Sequence, residues 1–168
     1  NTHPLSVRVP PGGTGSPATT GADVILVIDY DMPYAVPPIA PKPETRIIHI
    51  DIDLTKKGVP LWERRPDIAV RADSRKAIPL LTDILSKKIT SENSKLLRER
   101  YRKIEAVNNR FTEEWRALAS EQSANRPITA NWLARCIDEA IDEDTVIVNQ
   151  TISPSVIVAH QVRRSKPG

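Results

Sequence analysis

Two short apolar runs, separated by a proline-rich stretch, constrain the fold of this chain most. "VILVI" at residues 24–28 is continuously apolar, which is typical of a strand covered on both faces in a parallel sheet. "IIHIDID" at residues 47–53 places isoleucine at alternate positions, as a strand does. Prolines at 33, 37, 38, 41 and 43 exclude a regular helix or a central strand between the two runs. The runs therefore predict two strands joined by a loop, the first of them central in its sheet.

A third strand and three helices are predicted after the second run. "IAVRAD" at residues 68–73 predicts a short strand, and the helix behind it is expected to have Ser74 as its N-cap. A long amphipathic helix is expected from a cap within Ser91–Ser94. Thr129 is expected to cap the next helix. The apolar stripe of the long helix consists of Leu97, Tyr101, Ile104, Asn108, Phe111, Trp115 and Leu118.

The last part of the chain predicts a fourth strand, "TVIVN" at residues 145–149, followed by a polar turn. The fold class is therefore α/β: a partial, Rossmann-like parallel sheet, a long connecting helix and the first βα elements of a second α/β domain. The expected segments are 1–21, flexible and rich in proline and glycine; 22–88, an incomplete α/β domain; 89–125, a helical connector; and 126–168, where a second α/β pattern starts.

Charge and cysteine content exclude several classes of protein. The 24 Lys and Arg against 21 Asp and Glu give a net charge of +3, spread along the chain, so no nucleic-acid partner is expected. A single cysteine, Cys136, excludes an intramolecular disulfide and favours an intracellular setting. No apolar run approaches the roughly 20 residues of a membrane helix, and no signal peptide is visible. We expect a cytoplasmic location, and a mitochondrial one stays open because a transit peptide would precede these residues.

Carboxylates follow the first two predicted strands. Asp51 and Asp53 end the second strand, where parallel sheets bind ligands and where a carboxylate accepts hydrogen bonds from ribose hydroxyls. They serve equally well as solvated residues or as a cap for the next turn. Asp29 and Asp31 suit either Mg²⁺ or the capping of the proline loop. His49, between the isoleucines, is expected to be a hydrogen-bonded sheet residue.

The polar cluster "NQTISPS" at residues 149–155 is the second candidate site. Hydroxyls and backbone N–H groups after a strand can bind a phosphate without net cationic charge. A simple turn rich in Ser and Thr explains the same residues. Neither a P-loop nor a GxGxxG motif occurs, and Ser153 and Ser155 lie outside any GxSxG nucleophile motif.

Three segments, in order, carry a resemblance to a known family: "ADVILVIDYDMPY", "RIIHIDIDLTKKGVPLWERRPDIAVRADSRKAIPLL" and "DTVIVNQTISPSVIVAHQVRRSKPG". Over residues 22–168 the chain resembles the thiamine-diphosphate-dependent enzymes of the acetolactate synthase and benzoylformate decarboxylase group. The resemblance implies the second half of the central domain and the start of the C-terminal diphosphate-binding domain. The parent enzyme would be a homo-oligomeric decarboxylase or carboligase that uses thiamine diphosphate and Mg²⁺ on a 2-oxo acid.

The resemblance also implies two sets of binding residues. Family members hold the cofactor's diphosphate with the turn that corresponds here to Asn149, Gln150, Thr151, Ser153 and Ser155. Members that bind FAD or ADP line the cleft with positions that match Asp51, Ile52, Asp73 and Ser74. FAD-binding members place a glycine and then a basic residue after the first strand. This chain has Asp29, Tyr30 and Asp31 there, which argues against a flavin.

Two elements of the family's catalytic machinery fall outside the 168 residues: the domain with the activating glutamate and the "GDG…N" metal motif. We therefore expect this chain alone to be inactive. The alternative to an enzyme fragment is a non-catalytic module derived from the family, either a nucleotide-binding module or a structural and assembly module.

Overall fold

The chain folds as an α/β protein with a parallel sheet. In the computed structural model, residues 3–6, 8–13, 20–30, 41–55 and 66–166 are described. The predicted proline loop over residues 31–40, with Asp31, and the connection over residues 56–65 lie outside them. The strands are β1 (Val24–Ile28), β2 (Arg46–Asp51) and β3 (Ile68–Arg71). The helices are α1 (Ser74–Lys88), α2 (Ser91–Glu121), α3 (Ala130–Ala140) and α4 (Ser155–Gln161).

The sheet has the order β1-β2-β3, and both strand pairs are parallel. Ile50 of β2 pairs with Ile28 of β1 on one side and with Val70 of β3 on the other. The first strand was expected to be central, but in the described sheet β2 is central and β1 lies at the edge. The burial agrees with this order, since Ile47 of β2 is 1% exposed whereas Val24 of β1 is 51% exposed.

The chain divides into two compact units. One, the sheet unit, comprises residues 14–98 and holds β1 to β3 and α1. The other, the helical unit, comprises residues 1–13 and 99–168 and holds most of α2 together with α3 and α4. The sequence had instead predicted boundaries at residues 22, 89 and 126. Because residues 1–13 associate with the helical unit, the segment assigned to a tail divides at Gly13.

Helix α1 packs its apolar side against one face of the sheet. Ala77, Leu80, Leu81 and Ile84 face Leu26, Ile48 and Ile50 across an open groove of about 660 Å³ with an almost entirely apolar wall. No residue of α1 is fully buried. The helical spacing of the apolar residues thus predicted the correct face, but the described elements cover that face only in part.

Two of the three predicted helix caps differ in the structure. The N-cap of α1 is Asp73, whose carboxylate accepts a hydrogen bond from Arg75 N, and Ser74 is the first helical residue. Thr90, immediately before α2, forms a reciprocal cap with Asn93. Thr129 caps α3 by accepting from Trp132 N, as predicted. Aspartate caps as well as serine does, so spacing alone did not separate Asp73 from Ser74.

Helix α2 is 31 residues long and buries one stripe of its C-terminal half: Asn108, Phe111, Trp115 and Ala119. The N-terminal part of the predicted stripe is more open, with Leu97 44% exposed. Within the described residues, no helix combines the length and the apolar character that crossing a membrane requires.

The start of the chain was predicted to be flexible over residues 1–21, but its described residues within 3–13 pack against α2. Arg8 N donates to Asn108 Oδ1 at 3.1 Å, and Asn108 Nδ2 donates to Pro4 O at 2.6 Å. Trp115 Nε1 donates to Val9 O at 2.8 Å. These side chains satisfy backbone groups that a proline-rich segment cannot pair in a helix or sheet, which offsets the entropy cost of ordering it. Residues 1–2, 7 and 14–19 lie outside the described part.

The fourth predicted strand is corrected by the structure. Residues 145–150 adopt no strand, and the side chains of Val146 and Val148 are 75% and 86% exposed. A strand exists only when its backbone N–H and C=O groups pair with a neighbouring strand, and the described part of the helical unit offers none. The sequence "TVIVN" therefore contains a short apolar run but forms no strand, because it has no partner strand among the described residues.

Candidate functional site

The carboxyl ends of the three parallel strands bring together one set of predicted residues. Asp29 directly follows β1, Asp51 ends β2, and Asp73 lies two residues after β3. Asp29 has a φ of 47°, a left-handed conformation that aspartate tolerates better than most residues. Its N–H donates to Ile50 O at 3.1 Å, which holds it beside β2. Asp51, Ile52, Asp73 and Ser74 thus lie at one edge of the sheet.

Asp51 serves the local structure of that edge. It is 2% exposed, and its Oδ1 accepts a hydrogen bond of 2.8 Å from Asp53 N, which closes a turn at the end of β2. Its Oδ2 lies 3.7 Å from Nε2 of His49, which is equally buried on the same face of the strand. His49 is therefore a buried neighbour of this carboxylate, and ribose hydroxyls would reach Asp51 only after the turn opens.

The other members of the edge are more accessible. Asp73 Oδ1 accepts from Arg75 N at 3.0 Å, while its Oδ2 makes no hydrogen bond within the described residues. Ile52 is 64% exposed, and its carbonyl accepts from Arg71 Nε at 3.1 Å. Ser74 stands at the first turn of α1, next to this carboxylate. The edge thus presents the exposed carboxylate of Asp29, one carboxylate oxygen of Asp73, one exposed apolar side chain and the N-terminal turn of a 15-residue helix.

The residues of "NQTISPS" form an exposed loop that enters α4. Asn149 Oδ1 accepts from both the N–H and the hydroxyl of Thr151, at 3.1 and 2.6 Å. The Ser155 hydroxyl donates to Ile152 O at 2.9 Å. Gln150 and Ser153 make no side-chain hydrogen bond with the described residues, so their amide and hydroxyl face solvent. Of the five predicted contacts, these two are available to a ligand without a rearrangement of the loop.

A metal site is not formed by the described residues, which contain no cluster of three or more His, Cys, Asp or Glu with suitable geometry. The donor set of the loop consists of amides and hydroxyls, which suit phosphate oxygens better than Mg²⁺, a cation that favours carboxylates. The loop therefore fits the diphosphate part of the predicted cofactor and does not by itself hold the metal ion.

Sequence reasoning missed a second polar cluster, in the helical unit. Arg8 is 6% exposed, and its Nη1 donates to His160 O at 2.9 Å and lies 3.4 Å from His160 Nδ1. The ring of His160 stacks on Trp115 with the centroids 5.0 Å apart. Burial and the charge of Arg8 lower the pKa of His160 to about 4, so the ring is neutral at pH 7. The one sequence signal was Asn108, a polar residue inside an apolar stripe.

Two residues near the end of the chain form hydrogen bonds with the helices of this cluster. Gln161 Nε2 donates to Trp115 O at 2.6 Å, and Arg163 N donates to Asp138 Oδ1 at 2.8 Å. These bonds hold α4 against α2 and link the residues after α4 to α3. Burial and the charges of Arg163 and Arg116 lower the pKa of Arg8, which shows that three arginines share this region.

Comparison of the chain with protein-family models, with curated proteins and with solved structures finds no match.

Proposed function

We propose that this chain is part of a thiamine-diphosphate- and Mg²⁺-dependent 2-oxo acid decarboxylase or carboligase of the acetolactate synthase type. The observation that carries the proposal is the parallel sheet β1-β2-β3 with its carboxylates at one edge. That edge lies in the first two of the three segments on which the resemblance rests, in the same order along the chain. The parent enzyme in this proposal is a cytoplasmic homo-oligomer, and residues 126–168 are the beginning of its diphosphate-binding domain.

In this proposal the exposed loop 149–155 meets the diphosphate. Gln150 and Ser153 would donate hydrogen bonds to phosphate oxygens, while Asn149, Thr151 and Ser155 hold the shape of the loop through their own bonds. Thiamine diphosphate, when bound, supplies the electron sink for decarboxylation of a 2-oxo acid. The chain's own residues bind and orient it. The activating glutamate and the metal ligands would come from other parts of the parent enzyme.

Titration of the 168-residue chain with thiamine diphosphate in the presence of Mg²⁺, followed by calorimetry or by NMR of the loop, tests the proposal. We expect weak saturable binding that Gln150→Ala and Ser153→Ala both reduce, because each removes a donor that makes no internal bond. Ser120→Ala is the matched control, since this exposed serine on α2 lies outside the loop. An absence of binding, or equal binding by the loop variants, would contradict the assignment of the loop.

A second candidate is a non-catalytic module that binds ADP at the edge of the sheet. The accessible Oδ2 of Asp73 and the N-terminus of α1 beside it favour this function, because ribose hydroxyls and phosphates use such groups. ADP should then shift the NMR signals of residues 72–76, and Ser74→Ala should weaken the shift without loss of the cap. If ADP leaves these signals unchanged, the nucleotide-binding alternative is wrong.

A further inference from the structure

The helical unit contains a polar cavity that neither candidate function uses. It has a volume of about 120 Å³ and lies between the N-terminal segment, α2 and the residues after α4. This space accommodates several water molecules or one small tetrahedral oxyanion. Its wall includes the guanidinium groups of Arg8 and Arg163, the amides of Asn108 and Asn109 and the hydroxyl of Thr112. None of the described residues that line it is acidic.

Arg163 provides the observation that points to a ligand. Its Nε is buried and has no hydrogen-bond partner within the described residues. The backbone N–H of the same residue is bonded to Asp138, so the position of the main chain is held while the side-chain donor is left unused. A buried, charged group whose donors are not all paired is costly, and an anion in the cavity that Arg163 lines would offset that cost through its charge.

The charged side chains that surround the cavity are positive. Arg8 is almost completely buried, yet a guanidinium remains protonated in proteins. Asp138, the acidic residue that accepts a hydrogen bond from Arg163 N, also pairs with Arg135 Nη1 at 3.5 Å. The cationic surroundings also agree with the lowered pKa of Arg8, which burial, Arg163 and Arg116 cause. A buried concentration of positive charge is stabilised most by a bound anion.

We infer that the cavity formed by Arg8, Asn108, Asn109, Thr112 and Arg163 binds a phosphate group. Two guanidinium groups and the side-chain amides offer directed N–H donors to the oxygens of such a group, and Arg is the preferred residue for this recognition. The source is either inorganic phosphate or the phosphate of a small monoester. The inference is independent of the thiamine-diphosphate proposal, since it concerns different residues.

The test is a titration of the 168-residue chain with inorganic phosphate and, separately, with glycerol 1-phosphate, at an ionic strength matched with chloride. Calorimetry and the NMR signals of residues 108–112 follow the binding. We expect saturable binding of one or both ligands, and the tighter ligand identifies the source. Acetate at the same ionic strength should bind more weakly. Failure of both phosphate ligands to bind would overturn the inference, as would tighter binding of acetate.

Arg163→Gln should reduce the affinity for phosphate about tenfold or more, because it removes a charge-assisted donor. Arg110→Gln removes the same charge from an exposed position on α2 and should leave the affinity unchanged.

Asn109→Asp provides a second test in case Arg163→Gln does not fold. This exposed residue at the wall accepts the change without loss of packing, and the new negative charge should repel phosphate. Unchanged affinity in Asn109→Asp would contradict the site, as would an equal loss in Arg110→Gln.

Discussion

At the scale of single residues, the pKa of His160 depends on a neighbour that is far away in the sequence. Its ring stacks on Trp115, and its Nδ1 lies 3.4 Å from Nη1 of Arg8, which is 152 positions earlier. Desolvation by burial and the positive charge of Arg8 both disfavour the protonated ring, so the pKa falls to about 4. A neutral ring can accept a hydrogen bond at Nδ1, which is compatible with the position of Arg8 Nη1.

The lowered pKa of His160 predicts a dependence of stability on pH. The unfolded state takes up the proton near the usual pKa of 6.5 and the folded state only near 4. The free energy of unfolding should therefore be at its full value above pH 6.5 and decrease as the pH falls towards 4. NMR titration of the ring and denaturant unfolding at several pH values measure this. His160→Phe keeps an aromatic ring on Trp115 and should show a flatter profile; an identical profile would contradict the prediction.

Asn108 is the second residue whose role depends on distant partners. Its amide accepts from Arg8 N and donates to Pro4 O, within a buried position. Asn108→Ala leaves both backbone groups without a partner, so we expect a loss of about 1–3 kcal/mol in the free energy of unfolding. Urea unfolding of the variant gives the loss. Asn109→Ala, one position along on the exposed side, is the control, and a similar loss there would mean that the two bonds contribute little.

At the scale of elements, the helix boundaries are decided by the residues that cap them. Asp73, Thr90 and Thr129 each satisfy backbone N–H groups at the start of α1, α2 and α3. The composition around each boundary allowed the sequence to predict a cap within one or two positions. Which of two adjacent cap-forming residues is used depends on the end of the preceding strand or loop, and for α1 that is the end of β3.

Replacement of the α1 cap is expected to destabilise the sheet unit. Asp73→Ala removes the acceptor for Arg75 N and should lower the free energy of unfolding by about 1 kcal/mol. Ser74→Ala, at the next position, should change it by roughly 0.5 kcal/mol or less, because the serine is already helical. Guanidinium unfolding of the two variants separates the roles. A larger effect of Ser74→Ala would restore the serine as the cap.

At the scale of the whole molecule, the sheet unit exposes much of its apolar surface. Leu80 is 63% exposed and Ile84 53% exposed, although both face the sheet across the groove between α1 and the sheet. Exposed apolar surface of this kind marks a site of interaction or association. It supports the structural and assembly alternative as well as a place in a larger enzyme, since either would cover the groove.

The open groove predicts binding of an apolar fluorescent dye such as anilinonaphthalene sulfonate. The wild-type chain should enhance the fluorescence of the dye, and Leu80→Gln should reduce the enhancement because it places an amide in the apolar wall. Leu96→Gln is the control, since Leu96 is 49% exposed on α2 and is not a residue of the groove. Fluorescence titration of the three proteins distinguishes them, and an equal reduction in both variants would place the dye elsewhere.

The sequence by itself determined the local elements. The apolar runs and their alternation predicted β1, β2 and β3, and the three-to-four spacing predicted α1, α2 and α3, because these periods follow from the backbone geometry of each element. The parallel arrangement followed from the order of strands and helices. In the structure this arrangement brings Asp29, Asp51 and Asp73 to one edge of the sheet, because the carboxyl ends of parallel strands coincide.

Only the tertiary structure decided which of these elements found partners. Residues 145–149 contain an apolar, β-branched run typical of a strand but have no neighbouring strand in the described part of their unit, so no ladder forms. The contacts of Asn108 with Pro4 and Arg8, and of Arg8 with His160, join residues a hundred or more positions apart. Local periodicity carries no information about such pairs, because they depend on how whole elements pack. The cavity beside Arg163 is therefore a property of the fold rather than of any motif.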